Sequence, residues 1–528
     1  MLTSPSVNQL EGLAKEALKE GRDETAYQLL GKILQKEPEH VTASYLLSYI
    51  AHKYGNYQKE VELLHKIVSN DPDNLLFRAY YARALVLCGD MLMAHQELQT
   101  IDVETTETPE LVDTVATTYN RLNLYTEACR CYQRLVQLDA NSALVWFNLS
   151  TCYKYLGEFE KAREALEKSV SIKPYFEKSQ AALSLLNTKK NSVDADIPDR
   201  ISELTGIQEK SKNPEARLHI AHAIAKELES IGDYSKAFSV LAAHKGALRH
   251  VMKYDFDYNK VILDKIVARP SYSVAKINHV DNIFVTGMPR TGTTLVDRIL
   301  SSADNVVSGG ELPCFRTSLK KVLGEASTQF ITNGCVQELE DNISREVGRL
   351  YRSNTSYLNK NGETLIDKLP MNILLADQIL KCIDNSVIVC LDRHPLDTIV
   401  GNYRQLFSFS DGGFNYSLSL IDTARFYLFF RNLTQRLRKS YPDRFYLLNY
   451  ENLVRDPEKE SKKLFDFCRL TWCSDYLSIE KNSAPVATAS SLQVREKIHT
   501  NAISQWRRYA DHLDEVKHLL QREGIVYE

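Results

Sequence analysis

Residues 283–300, IFVTGMPRTGTTLVDRIL, indicate the fold of the second half of the chain. Ile283-Phe284-Val285 has the apolar, β-branched and aromatic composition of a buried strand. A glycine turn follows at 287–292, and from Thr293 onward apolar residues recur at helical spacing. A strand, a glycine turn and a helix in this order direct backbone N–H groups and a helix N-terminus at an anion. The stretch therefore predicts an α/β domain with an anion-binding loop.

The two glycines of this turn, Gly287 and Gly292, have the spacing of a P-loop, but the next residue differs. An NTPase carries lysine there, whereas this chain has Thr293. Without that lysine the loop is poorly suited to transfer a γ-phosphoryl group with Mg²⁺, although it can still hold a phosphate or a phosphosulfate. Arg290 adds a planar guanidinium group with a permanent positive charge, and Thr291, Thr293 and Thr294 add hydroxyl donors.

Length and composition restrict the class of protein. A chain of 528 residues is too long for one ordinary core, so at least two domains are expected. The 65 basic and 68 acidic residues nearly balance, which argues against a nucleic-acid coat or a binder of anionic membranes. The sequence predicts no signal peptide, no transmembrane segment and no metal cluster, and its ten scattered cysteines are expected to be reduced. We therefore expect a cytoplasmic protein.

A 34-residue period runs through the first third of the chain. Turn-forming residues recur at Gly21, Gly55, Gly89, Asn123 and Gly157. A second series at the same period is Pro38, Pro72, Thr106, Ala140 and Pro174. Glycine between two helices and proline after the second helix resemble the tetratricopeptide repeat, whose helix pairs stack to bury their apolar faces. We predict five repeats and a closing helix over residues 7–187.

The segment behind the repeats is predicted in two parts. Residues 188–214 are polar, contain two prolines and are interpreted as a linker with at most one short helix. Residues 215–270 are predicted to form additional divergent repeat-like helices, because Gly232 and Ala237 repeat the five-residue offset of Gly157 and Ala162. The array either presents a surface to a peptide or a neighbouring domain, or only stabilises or dimerises the protein.

Three further segments predict strands that end in charged or aromatic residues. The strands near 364–370, 386–391 and 445–450 carry Lys368, Arg393 and Tyr450 at their ends. In open parallel sheets ligands bind at the carboxyl ends of strands, so these side chains are expected near the glycine turn. Lys368 could reach an oxygen of a transferring group, or it could be a solvated lysine.

Glu311 follows a segment of the right length to return from the helix at Thr293 to the strand ends. A carboxylate beside an anion-binding loop is repulsive unless it has a function. We interpret Glu311 as a general base for an acceptor hydroxyl. The alternative is a surface glutamate after a glycine turn.

Together these motifs resemble the PAPS-dependent sulfotransferases, in particular tyrosylprotein sulfotransferases and the bacterial group with tetratricopeptide repeats ahead of such a domain. The resemblance implies an all-α tetratricopeptide repeat superhelix, followed at 280–528 by an α/β P-loop-like sulfotransferase domain with a mostly parallel sheet. It also implies PAPS as co-substrate, PAP as product and no metal. The acceptor would be a hydroxyl, with a peptide or protein tyrosine favoured and a glycan or small phenol open.

The resemblance assigns roles to individual residues. The 289–295 stretch, PRTGTTL, resembles the family's 5′-phosphosulfate loop, and 391–405 resembles its 3′-phosphate element. The cofactor-binding residues that it implies are Pro289, Arg290, Thr291, Gly292, Thr293, Thr294, Leu295, Arg393, Asn402 and Tyr450. The catalytic residues that it implies are Glu311, Arg290, Lys368 and Ser490, with Trp506 in a matching C-terminal position.

One position departs from the family pattern. Sulfotransferases place a serine eight residues after the 3′-phosphate arginine, where this chain has Gly401; its backbone N–H or the Asn402 amide could substitute. Two other functions stay open. A kinase with a degenerate P-loop would use Asp392 as a Walker B residue and would need ATP and Mg²⁺, but Thr293 counts against it. A repeat scaffold with a decayed transferase domain is the other alternative. The sequence does not reveal the acceptor, the ligand of the repeats or the oligomeric state.

Overall fold

A computed structural model describes residues 5–187, 197–325, 327–359 and 361–527. The chain folds as two compact units. The first comprises Met1–Ala140, Lys320–Thr328 and Leu350–Tyr357, and the second comprises Asn141–Leu319, Gln329–Arg349 and Leu358–Glu528. The fifth predicted repeat therefore belongs to the same unit as the glycine turn.

The first unit contains four of the predicted repeats. Asn123 has a φ of 61°, which gives the left-handed turn that glycine gives in the other repeats. The alanines that follow these turns, such as Ala26, Ala94 and Ala128, are fully buried where helices cross. The helices are α1 Val7–Lys19, α2 Asp23–Lys36, α3 Val41–Lys53, α4 Tyr57–Asn70, α5 Leu75–Cys88, α6 Met91–Leu98, α7 Pro109–Arg121 and α8 Tyr125–Leu138.

Two short insertions from the second half of the chain complete this unit. The Asn354 amide donates to the Gly89 carbonyl at 2.7 Å and accepts from the Met91 N–H at 2.9 Å. The Tyr357 hydroxyl donates to the Leu122 carbonyl at 2.9 Å. These contacts satisfy backbone groups at the turns of the third and fourth repeats, which helix ends otherwise leave unpaired.

The helical region continues in the second unit. Its helices are α9 Ala143–Leu156, α10 Phe159–Ile172, α11 Glu177–Asn187, α12 Ile197–Lys210, α13 Pro214–Ser230, α14 Tyr234–Met252 and α15 Phe256–Ala268. Residues 188–196 of the predicted linker lie outside the described residues. The rest of that segment contains α12, whose 14 residues bury Leu204 and make it longer than the short helix that the sequence allowed. Gly232, with a φ of 83°, lies between α13 and α14, in the segment for which the sequence predicts repeat-like helices.

A parallel sheet forms the centre of the second unit. Its strands are β1 Asn282–Gly287, β2 Val306–Ser308, β3 Thr364–Asp367, β4 Ser386–Asp392 and β5 Phe445–Asn449. They lie in the order β2-β3-β1-β4-β5, and each neighbouring pair is parallel. Ile283 on β1 is in register with Ile366 on one side and Val387 on the other, and all three are buried. The predicted fold class, helical repeats followed by a domain with a parallel sheet, is confirmed.

Further helices lie between and after these strands in the chain. They are α16 Thr293–Leu300, α17 Cys314–Val322, α18 Asp341–Thr355, α19 Ala376–Cys382, α20 Pro395–Arg404, α21 Leu420–Ser440, α22 Tyr450–Arg455, α23 Pro457–Phe467 and α24 Asp514–Arg522. Lys245 of α14 is fully buried and donates to the Ser417 carbonyl at 2.8 Å and to the Gln405 carbonyl at 3.2 Å. Burial lowers the pKa of this lysine to about 7. Since Gln405 is the C-cap of α20, Lys245 ties α14 to the end of that helix.

In the part of the chain that the structure describes, no helix has both the length and the apolar character that crossing a membrane requires.

Candidate nucleotide and transfer site

The glycine turn is held in an unusual backbone conformation. Arg290 has a φ of 67°, and Gly292, the N-cap of α16, has a φ of 104°. Thr291 is fully buried, and its hydroxyl donates to the Met288 carbonyl at 2.7 Å. The Thr291 hydroxyl therefore stabilises the turn. This geometry does not favour the direct contact with a ligand that the sequence predicts for it.

Arg290 joins the turn to the C-terminal segment. Its Nη1 donates to Ser490 Oγ at 2.5 Å, and its Nη2 donates to Gln493 Oε1 at 3.2 Å. Burial and the charges of Arg393 and Arg404 lower the pKa of Arg290 to about 10. Two of the predicted catalytic residues, Arg290 and Ser490, are thus in direct contact although 200 residues separate them.

Tyr450 packs against the turn. A Cβ placed on Gly292 would lie 2.4 Å from Tyr450 Cδ2, so only glycine allows the ring to approach this closely. The guanidinium carbon of Arg393 lies 4.6 Å from the centre of the same ring. Tyr450 is buried, and burial raises the pKa of its phenol. The ring supports both the turn and Arg393.

The guanidinium of Arg393 makes most of its hydrogen bonds to the protein backbone. Its Nη1 donates to the Arg290 carbonyl at 2.8 Å, and its Nη2 donates to the Ala502 carbonyl. Within the described residues its Nε is buried and has no hydrogen-bond partner. The two terminal nitrogens of Arg393 hold the turn to the C-terminal segment.

Gly401 and Asn402, which the sequence offered in place of the missing serine, are both engaged within the protein. Asn402 is fully buried; its amide donates to Pro289 O at 2.6 Å and to Thr398 O at 2.9 Å, and its carbonyl accepts from a tyrosine hydroxyl at 2.9 Å. Gly401 lies in the interior of α20, where its N–H bonds within the helix. A Cβ on Gly401 would lie 3.3 Å from Arg290 Cβ, so this glycine makes room for Arg290.

The turn opens into a cavity of about 480 Å³, within the range of small-molecule sites. Basic side chains that line it are Lys226, Arg290, Arg393, Arg404, Lys497 and Arg508. Carboxylates that line it are Glu229, Asp397 and Glu496. Positive charge thus exceeds negative charge two to one, which suits a ligand with several negative charges.

Asp397, which the sequence analysis missed, positions one wall of this cavity. Its carboxylate accepts from the backbone N–H groups of Ser504 and Trp506, each at 2.8 Å. The Trp506 indole is stacked on His394 with ring centres 5.7 Å apart, and its Nε1 is buried without a partner among the described residues. The only signal in the sequence was the position of Asp397 one helical turn after Arg393.

Glu311 and Lys368 form an ion pair. Lys368 Nζ lies 2.6 Å from Glu311 Oε1; the lysine side chain is 1% exposed and the glutamate side chain is 40% exposed. The Lys368 N–H also donates to the Gly310 carbonyl at 2.9 Å. Neither residue lines the cavity, but β3 lies beside β1, so both are at the sheet edge that carries the turn. Lys368 is therefore not the solvated lysine of the alternative interpretation.

The fifth repeat contributes to this part of the unit. Burial, and then the charge of Glu311, raise the pKa of the Tyr155 phenol on α9 to about 12. The Tyr155 carbonyl accepts from Val486 N at 2.8 Å and from Arg495 Nη2 at 3.0 Å. Repeat residues thus support the 486–495 segment, which carries Ser490.

The fold and the site define a class: an α/β domain with a P-loop-like turn that lacks the P-loop lysine, preceded by helical repeats. Residues 282–474 match the profile of the sulfotransferase family, and residues 143–176 match a tetratricopeptide repeat. Residues 282–474 are thus similar to the sulfotransferase family, and they follow a segment that is similar to a tetratricopeptide repeat.

Three relatives are similar to this chain in sequence. An uncharacterized protein of Aquifex aeolicus is 27% identical over 382 residues, covering 70% of this chain and 49% of that protein. A Caenorhabditis briggsae protein named "Putative protein-tyrosine sulfotransferase" is 25% identical, covering 42% of this chain and 80% of that protein. A TPR repeat-containing protein of Methanocaldococcus jannaschii is 24% identical, covering 31% of this chain and 33% of that protein. This chain thus aligns with about half of the Aquifex relative.

Proposed function

We propose that the protein is a PAPS-dependent sulfotransferase that moves a sulfuryl group to an acceptor hydroxyl. The observation that carries the proposal is the cavity at the glycine turn, where six basic side chains face three carboxylates within a sulfotransferase-family domain. A nucleotide with two phosphate positions and a sulfate supplies the negative charge that this cavity lacks. Thr293 in place of a P-loop lysine is consistent with this chemistry, which does not transfer a γ-phosphoryl group.

The turn and Arg290 would hold the 5′-phosphosulfate. Gly292 is the N-cap of α16, and the Leu295 N–H donates to its carbonyl at 3.0 Å. The N–H groups of Thr293 and Thr294, which precede Leu295, would face the anion. The Arg290 guanidinium adds positive charge beside the turn and holds Ser490 next to it through a hydrogen bond. These donors stabilise the negative charge that develops on the leaving phosphate.

Glu311 would act on the acceptor. In the proposed step the acceptor oxygen forms a bond to sulfur, the bond between sulfur and the bridging phosphate oxygen breaks, and the hydroxyl proton passes to the Glu311 carboxylate. PAP leaves with the electron pair of the broken bond. Lys368, held 2.6 Å from Glu311, would place positive charge beside the transferring group.

The acceptor class that we propose is a tyrosine in a peptide or protein. The name of the C. briggsae relative supports this choice, as does the position of Glu311. In this proposal the tetratricopeptide repeats dock the acceptor protein, as arrays of this kind commonly bind peptides. A glycan or a small phenol is the competing acceptor class.

The test is a transfer assay with PAPS and a panel containing tyrosine peptides, glycans and small phenols, with PAP release as the readout. We expect release that depends on an acceptor and is greatest with tyrosine peptides. Release with phenols or glycans alone would keep the sulfotransferase and reject the acceptor class. Transfer from ATP with Mg²⁺, without transfer from PAPS, would instead identify the kinase. Binding of PAP without any transfer would favour the scaffold.

A further inference from the structure

The cavity has a wall that comes from the repeat-like region. Lys226 and Glu229 of α13 line it, together with Arg404 of α20. Glu229 accepts from Lys226 Nζ at 2.9 Å and from Arg404 Nη2 at 2.5 Å, and the Tyr509 hydroxyl donates to it at 2.9 Å. Burial alone would raise the pKa of Glu229, but the charges of Arg404 and Lys226 lower it to about 2. Glu229 is therefore a fixed anion that positions two cations.

These cations are not fully compensated. Glu229 is shared between Lys226 and Arg404, and Arg290 lies close enough to affect the titration of Lys226. Burial lowers the pKa of Lys226. The charge of Glu229 offsets part of this effect, and the charges of Arg404 and Arg290 add to it. Buried cations in excess of their counterions are costly, and a bound anion removes that cost.

The residues that the sequence offered for a second phosphate are largely engaged within the protein. The terminal nitrogens of Arg393 donate to backbone carbonyls, the Asn402 amide donates to Pro289 and Thr398, and Gly401 offers no side chain. Arg404 is three residues after Gly401 and so lies on the same face of α20. Lys226 approaches this face from α13, and its ammonium group can turn toward a ligand without leaving Glu229.

We propose that Lys226 binds the phosphate at the 3′ position of the donor nucleotide, with Arg404 beside it and Glu229 positioning both. This inference rests on the proposed function. In this proposal both the repeat-like helices and the transferase segment form the nucleotide site. Lys226 of α13 supplies the polar side chain that Gly401 lacks. A 3′-phosphate adds about two negative charges. Lys226, Arg404 and Glu229 together carry one net positive charge, and the nearby Arg290 adds a second.

The experiment is calorimetric titration of wild type and Lys226→Gln with PAP and with AMP, which shares the adenosine and the 5′-phosphate but lacks the 3′-phosphate. A charge-assisted hydrogen bond predicts a loss of PAP affinity of about 10- to 100-fold, with AMP affinity nearly unchanged. Lys226→Arg should keep most of the preference for PAP, because it keeps the charge. Lys236→Gln, an exposed lysine on the neighbouring helix α14, is the matched control and should bind both nucleotides as wild type does.

The other outcomes would reject the inference alone or the inference together with the proposed function. Equal loss of PAP and AMP affinity in Lys226→Gln would mean that the lysine only supports the cavity, and the inference would be wrong. An unchanged preference for PAP in that variant would also overturn it, while the proposed function would stand. If wild type itself shows no preference for PAP over AMP, the 3′-phosphate site and the proposed function both fail. Melting curves of the unliganded variants identify any loss of fold. If Lys226→Gln does not fold, the inference is tested with Lys226→Arg, which should keep most of the preference for PAP; loss of that preference in a folded Lys226→Arg would overturn the inference.

Discussion

Replacing Gly292 by alanine should damage both the fold and the nucleotide site. Gly292 has a φ of 104°, which L-residues rarely adopt, and its Cβ would lie 2.4 Å from Tyr450 Cδ2 and 2.8 Å from Cε2. The ring cannot move away freely, because the Arg393 guanidinium covers it at 4.6 Å. The substitution must therefore displace the turn, the tyrosine or the arginine.

Two costs can be separated. The backbone conformation costs an alanine about 1–3 kcal/mol, and forcing a methyl group into a packed contact costs about 1–3 kcal/mol more. Gly524→Ala is the matched control: Gly524 has a φ of 67°, and nothing lies within 4 Å of its Cβ, so only the backbone cost applies. We expect Gly292→Ala to lower the free energy of unfolding by about 2–6 kcal/mol and Gly524→Ala to lower it by about 1–2 kcal/mol.

The assay is thermal unfolding followed by titration with PAP. Gly292→Ala should melt at a clearly lower temperature than Gly524→Ala and should bind PAP at least about 10-fold more weakly, one decade for each 1.4 kcal/mol. Adding Tyr450→Ala to Gly292→Ala should restore part of the stability without restoring PAP binding, because Arg393 then loses its support. Equal melting temperatures for the two alanine variants, with unchanged PAP affinity, would refute the described packing.

Three further predictions concern catalysis, titration and the C-terminal segment. Glu311→Gln should lower turnover by about 10²- to 10⁴-fold with PAP affinity unchanged; equal loss of both would remove Glu311 from the base role. Burial lowers the pKa of Lys245 to about 7, so the unfolded chain binds more protons between pH 7 and 10.5, and this lysine makes stability rise with pH there. The difference in the free energy of unfolding between wild type and Lys245→Met should therefore change by up to about 4 kcal/mol from pH 7 to 10. A difference that does not depend on pH would contradict this prediction. Asp397→Ala should make the chain after Ser504 more sensitive to protease, since two backbone N–H groups lose their acceptor; wild-type resistance would contradict this.

Much of the fold could be predicted because its signals are local. The 34-residue period fixes the helix pairs, and the strands at 283–285 and 386–391 are continuous apolar runs, as buried parallel strands are. The strand β2, with only three residues, gives no periodicity to detect. The helix α21 was also missed, because its run of aromatic residues at 426–430 suits a strand as well as a helix.

The site could be predicted only where a motif is local. Arg290 and Ser490 belong to recognisable stretches, and the structure brings them into contact. Lys226 and Glu229 could not be found in this way, because nothing near them in sequence marks a helix of the repeat-like region as a cavity wall. The support that Asn402 gives to the turn could not be predicted either, since it depends on carbonyl positions set by tertiary packing.

The measurement that tests the central claim most directly is thermal stabilisation of the wild-type protein by PAP, with AMP, ADP and Mg·ATP in parallel. A ligand at 100 times its Kd stabilises the folded state by about 2.7 kcal/mol, which a melting curve resolves. The account predicts strong stabilisation by PAP, weaker stabilisation by AMP and ADP, and none that requires Mg²⁺. Stabilisation by Mg·ATP alone, or by none of these nucleotides, would contradict it.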